Sequence, residues 1–126
     1  MAGPVGGIIV GVLAGIAEPG GIALASLLAH IAGCIWMGFA YKKLLFEKLK
    51  MPVRILGWIG AVLVYYYVFA VAGFAVGLKL FYLESGSIWE LYLSIAKGVV
   101  PELIFTAVIT TLIWIGLPDR FRKPLW

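Results

Sequence analysis

The chain has 126 residues, 63% of them hydrophobic and 13% charged, with a formal net charge of +4. A soluble domain is nearer half apolar and a quarter charged. This composition therefore reads as an integral membrane protein with room for about four spans of ~20 residues, and it excludes a separate soluble catalytic or DNA-binding domain. The basic residues sit in two short segments flanking apolar runs, which argues against nucleic acid as a partner.

In chain order, the first apolar segment covers residues 4–17 and is uncharged and short. No basic region precedes it, so a cleaved signal peptide is not expected. Gly3, Gly7, Gly11 and Gly15 recur every four residues. Such a stripe is a ridge without side chains that lets another helix approach closely. Glu18-Pro19-Gly20-Gly21 then reads as a turn. The second segment, 22–41, carries Ala25, Ala29 and Gly33 at the same spacing, and the two stripes are expected to pack on each other. This segment also holds the single cysteine, Cys34, which cannot form an intramolecular disulfide and reads as a small hydrophobe.

A basic stretch from Tyr41 to Arg54, with Pro52, precedes the third segment, 55–78. Tyr65, Tyr66 and Tyr67 fall near the middle of that segment. Glu84-Ser85-Gly86-Ser87 breaks the chain again before the fourth segment, 88–117. Lysine and arginine mark the cytoplasmic side. The loop between the second and third segments carries Lys42, Lys43, Lys48, Lys50 and Arg54 against Glu47, and the tail carries Arg120, Arg122 and Lys123 against Asp119. The first loop has only Glu18, and the third has Lys79, Glu84 and Glu90. The expected fold is an all-α integral membrane protein of the cell membrane. It is one domain of four transmembrane helices with cytoplasmic N- and C-termini. Trp58, Trp114 and Trp126 near the inner ends and Trp89 near the outer end suit interfacial anchors.

The fourth segment holds two charges, Lys97 and Glu102, with Pro101 between them. A charge at the centre of a span costs about 2.5–3.5 kcal/mol on insertion scales, so both need partners or a use. They lie about 140° apart around a regular helix and do not pair within it. Pro101 removes a backbone donor and frees the carbonyl of Lys97, and Gly98 adds a weak point, so a kink or unwound turn is expected here. Glu90, Ser94 and Lys97 share one face; Glu102, Thr106 and Thr110 share another. His30 and Lys97 both lie about ten residues, or ~15 Å, from the outer ends of their segments. A polar cavity is therefore expected from His30, Tyr66, Tyr67, Trp89, Glu90, Ser94, Lys97 and Glu102. Each also has a structural reading: Lys97 snorkelling outward, His30 in an interhelical hydrogen bond, the tyrosines as packing.

No catalytic constellation emerges. A zinc site needs three or four ligands, whereas His30 and Cys34 stand together on an apolar helix with no third. Neither Ser26 nor Ser94 has an evident base. Glycines before Gly7 follow no strand, so a phosphate loop is not indicated. The chain is expected to be no enzyme and to need no metal or cofactor.

The run Gly3-Pro4-Val5-Gly6-Gly7-Ile8-Ile9-Val10-Gly11, a short turn, and a small-residue helix ending in Lys42-Lys43 resemble the middle of a substrate-binding S component of energy-coupling-factor (ECF) transporters. Lys97-Gly98-Val99-Val100-Pro101-Glu102 is similar to part of the last helix of that family. The resemblance implies that these four segments correspond to the third to sixth helices of a six-helix protein. Two helices, including one that docks on the coupling subunit, would then precede Met1; without them, the chain is expected to be a fragment or a shorter relative. It also implies a small-molecule solute held in the outer half of the bundle, near residues 18–21, 84–89 and the polar face of the last helix. The implied partners are the lipid bilayer, a transmembrane coupling subunit with ATPases, or a second copy in a homo-oligomer. The same Gly-Pro-led helix pair resembles the five-helix membrane sensor domain of some histidine kinases, which implies instead a non-transporting sensor or assembly module. A small proton-coupled exporter is disfavoured, because its essential glutamate belongs in the first helix, which here is uncharged before Glu18.

Overall fold

The structure, a computed structural model, describes residues 3–17, 23–46 and 49–122. The turn at residues 18–21, Glu47, Lys48, Lys123 and Trp126 lie outside them. Every regular element among the described residues is a helix: α1 (Gly3–Ile16), α2 (Ala23–Phe46), α3 (Met51–Val64), a π-helical segment (Tyr65–Val71), α4 (Ala72–Phe81), α5 (Ile88–Gly98), α6 (Val100–Gly116) and the short α7 (Asp119–Arg122). Two stretches are long and apolar enough to cross a bilayer. One is Ala23–Lys43. The other is Met51–Phe81, in which α3, the π segment and α4 run on as one helix. A third is added if α5 and α6, bent by 51°, count as one span. At 14 residues, α1 reaches only about 21 Å, short of the ~30 Å hydrocarbon core.

Two expected boundaries move. Helix α2 continues past Tyr41 to Phe46, because nothing in Lys42-Lys43-Leu44-Leu45 breaks a helix. Pro52 opens α3 rather than extending the loop: Lys50 is an extended N-cap, and proline suits the first turn, where its missing N–H would lack a partner anyway.

Helix α2 is the centre of the bundle. On one side α1 lies antiparallel to it, so close that a Cβ at Gly7 would stand 2.5 Å from the Cys34 carbonyl oxygen. A Cβ at Gly11 would stand 2.6 Å from the Ile31 Cα, and one at Gly15 would stand 2.8 Å from the Leu27 Cα. Ser26, which is buried, donates its hydroxyl to the Ala23 carbonyl at 3.2 Å and reaches the Gly15 carbonyl at 3.5 Å. The stripe expected to answer the α1 glycines faces elsewhere. Ala25 meets Gly77, Ala29 meets Gly73, and Gly33 meets the Tyr65 ring and Phe69, all on the Met51–Phe81 helix, the third long helix if the short α1 is counted first. The reason is angular: Ala25 and Ala29 stand two residues from Leu27 and Ile31, about 200° around the axis. Helix α2 thus has a close-approach seam on each side. Contact between small residues suits a solvent of lipid tails, which gives packed apolar helices no hydrophobic advantage. Large apolar side chains point outward instead, Leu28, Leu56, Val68, Phe105 and Leu112 all being exposed.

At the end of the bundle where α2 finishes and α3 begins, Tyr41 and Trp58 meet edge-to-face at 6.1 Å, and Tyr41 and Trp114 are buried together. At the opposite end the chain reverses between α4 and α5. Leu83 (φ 51°) and Gly86 (φ 91°) adopt left-handed conformations there. The Lys79 ammonium donates to the Glu84 carbonyl at 2.9 Å and to the Gly86 carbonyl. Ser87 and Glu90 form a capping box: Ser87 Oγ accepts from the Glu90 N–H at 3.2 Å, and Glu90 Oε2 accepts from the Ser87 N–H at 2.9 Å. The expected break in the last span falls at Val99. Its N–H still bonds to the Ile95 carbonyl at 3.0 Å, while Pro101 just beyond offers no donor to Lys97.

Candidate functional site: a polar cavity beside the π segment

The third long helix changes winding at its middle. A π segment admits more than four residues per turn, and such turns occur mostly as short insertions, frequently at functional sites. Here it sends two consecutive tyrosines to different neighbours. Tyr65 meets α2, its hydroxyl 3.2 Å from His30 Nδ1. Tyr66 meets α6, its hydroxyl donating to Glu102 Oε1 at 3.0 Å and lying 2.8 Å from Thr106 Oγ1. A tyrosine hydroxyl has one proton. With that proton directed at Glu102, Thr106 is the donor of the second bond. The two rings stand edge to face, 5.1 Å apart at 84°.

Neighbouring side chains bind the backbone at and within this segment. Trp36 donates its indole N–H to the Ala61 carbonyl at 3.0 Å, one turn before Tyr65. Tyr92 donates its hydroxyl to the Tyr67 carbonyl at 3.1 Å. Backbone groups at membrane depth need partners wherever a helix departs from its regular ladder, and these two donors come from α2 and α5. Further along α6, Thr110 donates to the Thr106 carbonyl at 2.7 Å and accepts the Trp58 indole N–H at 3.0 Å. Side-chain hydrogen bonds therefore tie α6 to the long third helix at two levels.

These groups surround a cavity of about 160 Å³, open on one side. Its polar lining is Ser26, His30, Tyr65, Tyr66 and Glu102; Phe74, Val71 and Ile95 are among its apolar walls. Among the described residues Glu102 supplies its only carboxylate, and no lysine or arginine lines it. Tyr66 is buried, while Glu102 is exposed at the rim. Among the described residues no three His, Cys, Asp or Glu side chains gather as a metal site would require.

Of the residues expected to share a site, the structure brings His30, Tyr66 and Glu102 to this cavity and leaves five outside its lining. Tyr67 contributes its carbonyl to Tyr92 instead. Trp89 is exposed and stacks on Tyr92 at 5.6 Å, with the rings nearly parallel. Glu90 caps α5, and Ser94 and Lys97 are exposed on it. Lys97 is exposed on α5 and does not line the cavity. Ser26 and Tyr65 join the lining in addition. Thr106 joins the polar cluster on the face it shares with Glu102, a spacing visible in the sequence.

Comparison with known proteins found no matching protein family, no matching curated protein and no matching solved structure.

Proposed function

We propose that this chain is a membrane substrate-capture subunit that holds a small solute in the cavity between α2, the π segment and the α5–α6 break, as an ECF-type S component does. The observation that carries this reading is the convergence of His30, Tyr65, Tyr66 and Glu102 on one cavity. Capture needs no chemistry from the chain; a coupling subunit with ATPases would supply the driving force.

In this reading the protein is a multi-pass protein of the cell membrane with four spans and cytoplasmic termini. The long antiparallel contact of α1 with α2, from Gly7 to Gly15, supports α1 crossing beside it despite its length. The exposed Lys42, Lys43, Lys50 and Arg120 lie on the side assigned to the cytoplasm.

The test is a thermal-shift screen of the protein in lipid nanodiscs against vitamins, nucleobases, amines and divalent cations. At least one solute raises the melting temperature of the wild type and not of Ala70→Phe, which fills the cavity. If no solute does so, and Glu102→Ala leaves stability unchanged, the capture reading falls. A sensor or assembly module, with these hydrogen bonds serving structure alone, is then the better account.

A further inference from the structure

Resting on the capture reading, we propose that the solute is a small organic cation, an ammonium of about six to eight non-hydrogen atoms, whose charge is met by Glu102 and the surrounding aromatic rings. Size comes from the cavity: about 160 Å³ is close to the ~150 Å³ that holds benzene in another protein. Charge comes from the lining, which among the described residues offers the Glu102 carboxylate and no lysine or arginine. Lys97, the one cation of the last span, is exposed on α5 and does not line the cavity. An anionic solute would thus meet a carboxylate with no lysine or arginine to offset it.

The carboxylate itself is short of partners. Among the described residues it accepts one hydrogen bond, from the Tyr66 hydroxyl, at a depth where an ionised group is costly. A bound cation would supply what is missing. Tyr65, Tyr66 and Phe74 line the same space, and the first two rings stand at 84° to each other. A cation there meets aromatic surface on more than one side, an arrangement that suits ammonium groups and strengthens as water is excluded. Ser26 and His30 on the α2 side add polar atoms to the lining.

The experiment uses the full chain in nanodiscs and three probes of matched shape: choline, its neutral carbon isostere 3,3-dimethyl-1-butanol, and the anion 3,3-dimethylbutanoate. Titration calorimetry is expected to give choline about tenfold or more tighter binding than either of the others, because only choline carries a charge opposite to Glu102. Glu102→Gln keeps the acceptor for Tyr66 and removes the charge; it is expected to erase that preference. The wild-type comparison stands even if the variant misfolds. Equal or tighter binding of the neutral or anionic probe overturns the cationic assignment, and if Ala70→Phe abolishes that binding the capture reading survives. Binding of none of the three also overturns the assignment and leaves capture to be decided by the broader screen.

Discussion

Tyr66 donates its hydroxyl to Glu102 across 3.0 Å while the same oxygen receives Thr106 at 2.8 Å, so one residue of the π segment holds two successive turns of α6. The hydroxyl is therefore both a wall of the cavity and a structural tie. Hydrogen bonds between helices in a bilayer contribute about 0.6 kcal/mol on average and up to about 1.7. Tyr66→Phe is expected to lose near the upper figure, since two bonds go at once. Reversible unfolding in mixed detergent would measure it. A double-mutant cycle with Thr106→Val should give a clear coupling; strict additivity would mean that the contact is not made.

The glycines of the bundle separate into two kinds. A Cβ on Gly77 would stand 2.5 Å from the Ala25 carbonyl oxygen and 2.6 Å from its Cα, both backbone atoms that cannot step aside. Gly60 has nothing within 4 Å of the corresponding point. Gly77→Ala is expected to cost about 1–3 kcal/mol, as overpacking does. Gly60→Ala should be neutral or stabilise by about 0.5–1 kcal/mol through helix propensity. Melting temperatures of the two variants, purified side by side, test the contrast.

Ser87→Ala should fray the start of α5. It removes the side-chain acceptor of the Glu90 N–H, a loss worth about 1 kcal/mol at an N-cap. Amide exchange is the suitable readout, with faster exchange expected over Trp89–Leu91 and little change in α2.

The 51° bend between α5 and α6 should depend on proline. Pro101→Ala restores a donor to the Lys97 carbonyl and removes the ring that crowds it. Spin labels at the exposed Leu93 and Leu112 are expected to move apart as the span straightens. An unchanged separation would mean that the bonds of Tyr92 to Tyr67 and of Tyr66 to Glu102, which tie α5 and α6 to the π segment, fix the angle without the proline.

Periodicity in the sequence exposed bare helix faces but not what meets them. Gly7, Gly11 and Gly15 mark a face by their spacing alone. Ala25, Ala29 and Gly33 mark another, yet the two belong to different contacts, because a four-residue stripe carries no information about its partner's identity. Gly73 and Gly77, four apart, were an equally readable sign of the second seam. Depth counting puts His30, Lys97, Glu102 and one or two tyrosines at one level, of which Lys97 stays out of the cavity lining, and Pro101 with Gly98 places the break within a residue or two. The direction of Lys97 was not legible, since it depends on how the two half-helices turn at Val99. Nor was the winding change at Tyr65–Val71, where Tyr-Tyr-Tyr-Val-Phe-Ala-Val reads as ordinary apolar helix. Its supports, Trp36 and Tyr92, sit far away in the chain and show their purpose only in three dimensions.

The double seam of α2 also sets where the bundle can yield. Glycine against backbone on both flanks leaves α2 unable to roll without collision, so α1, α2 and the long third helix behave as a single stiff block. The α5–α6 arm is fastened to that block by the hydrogen bonds of Tyr66, Tyr92 and Trp58 and by the buried contact of Trp114 with Tyr41. Any movement of the arm against the block must therefore break the bonds of Tyr66, Tyr92 and Trp58.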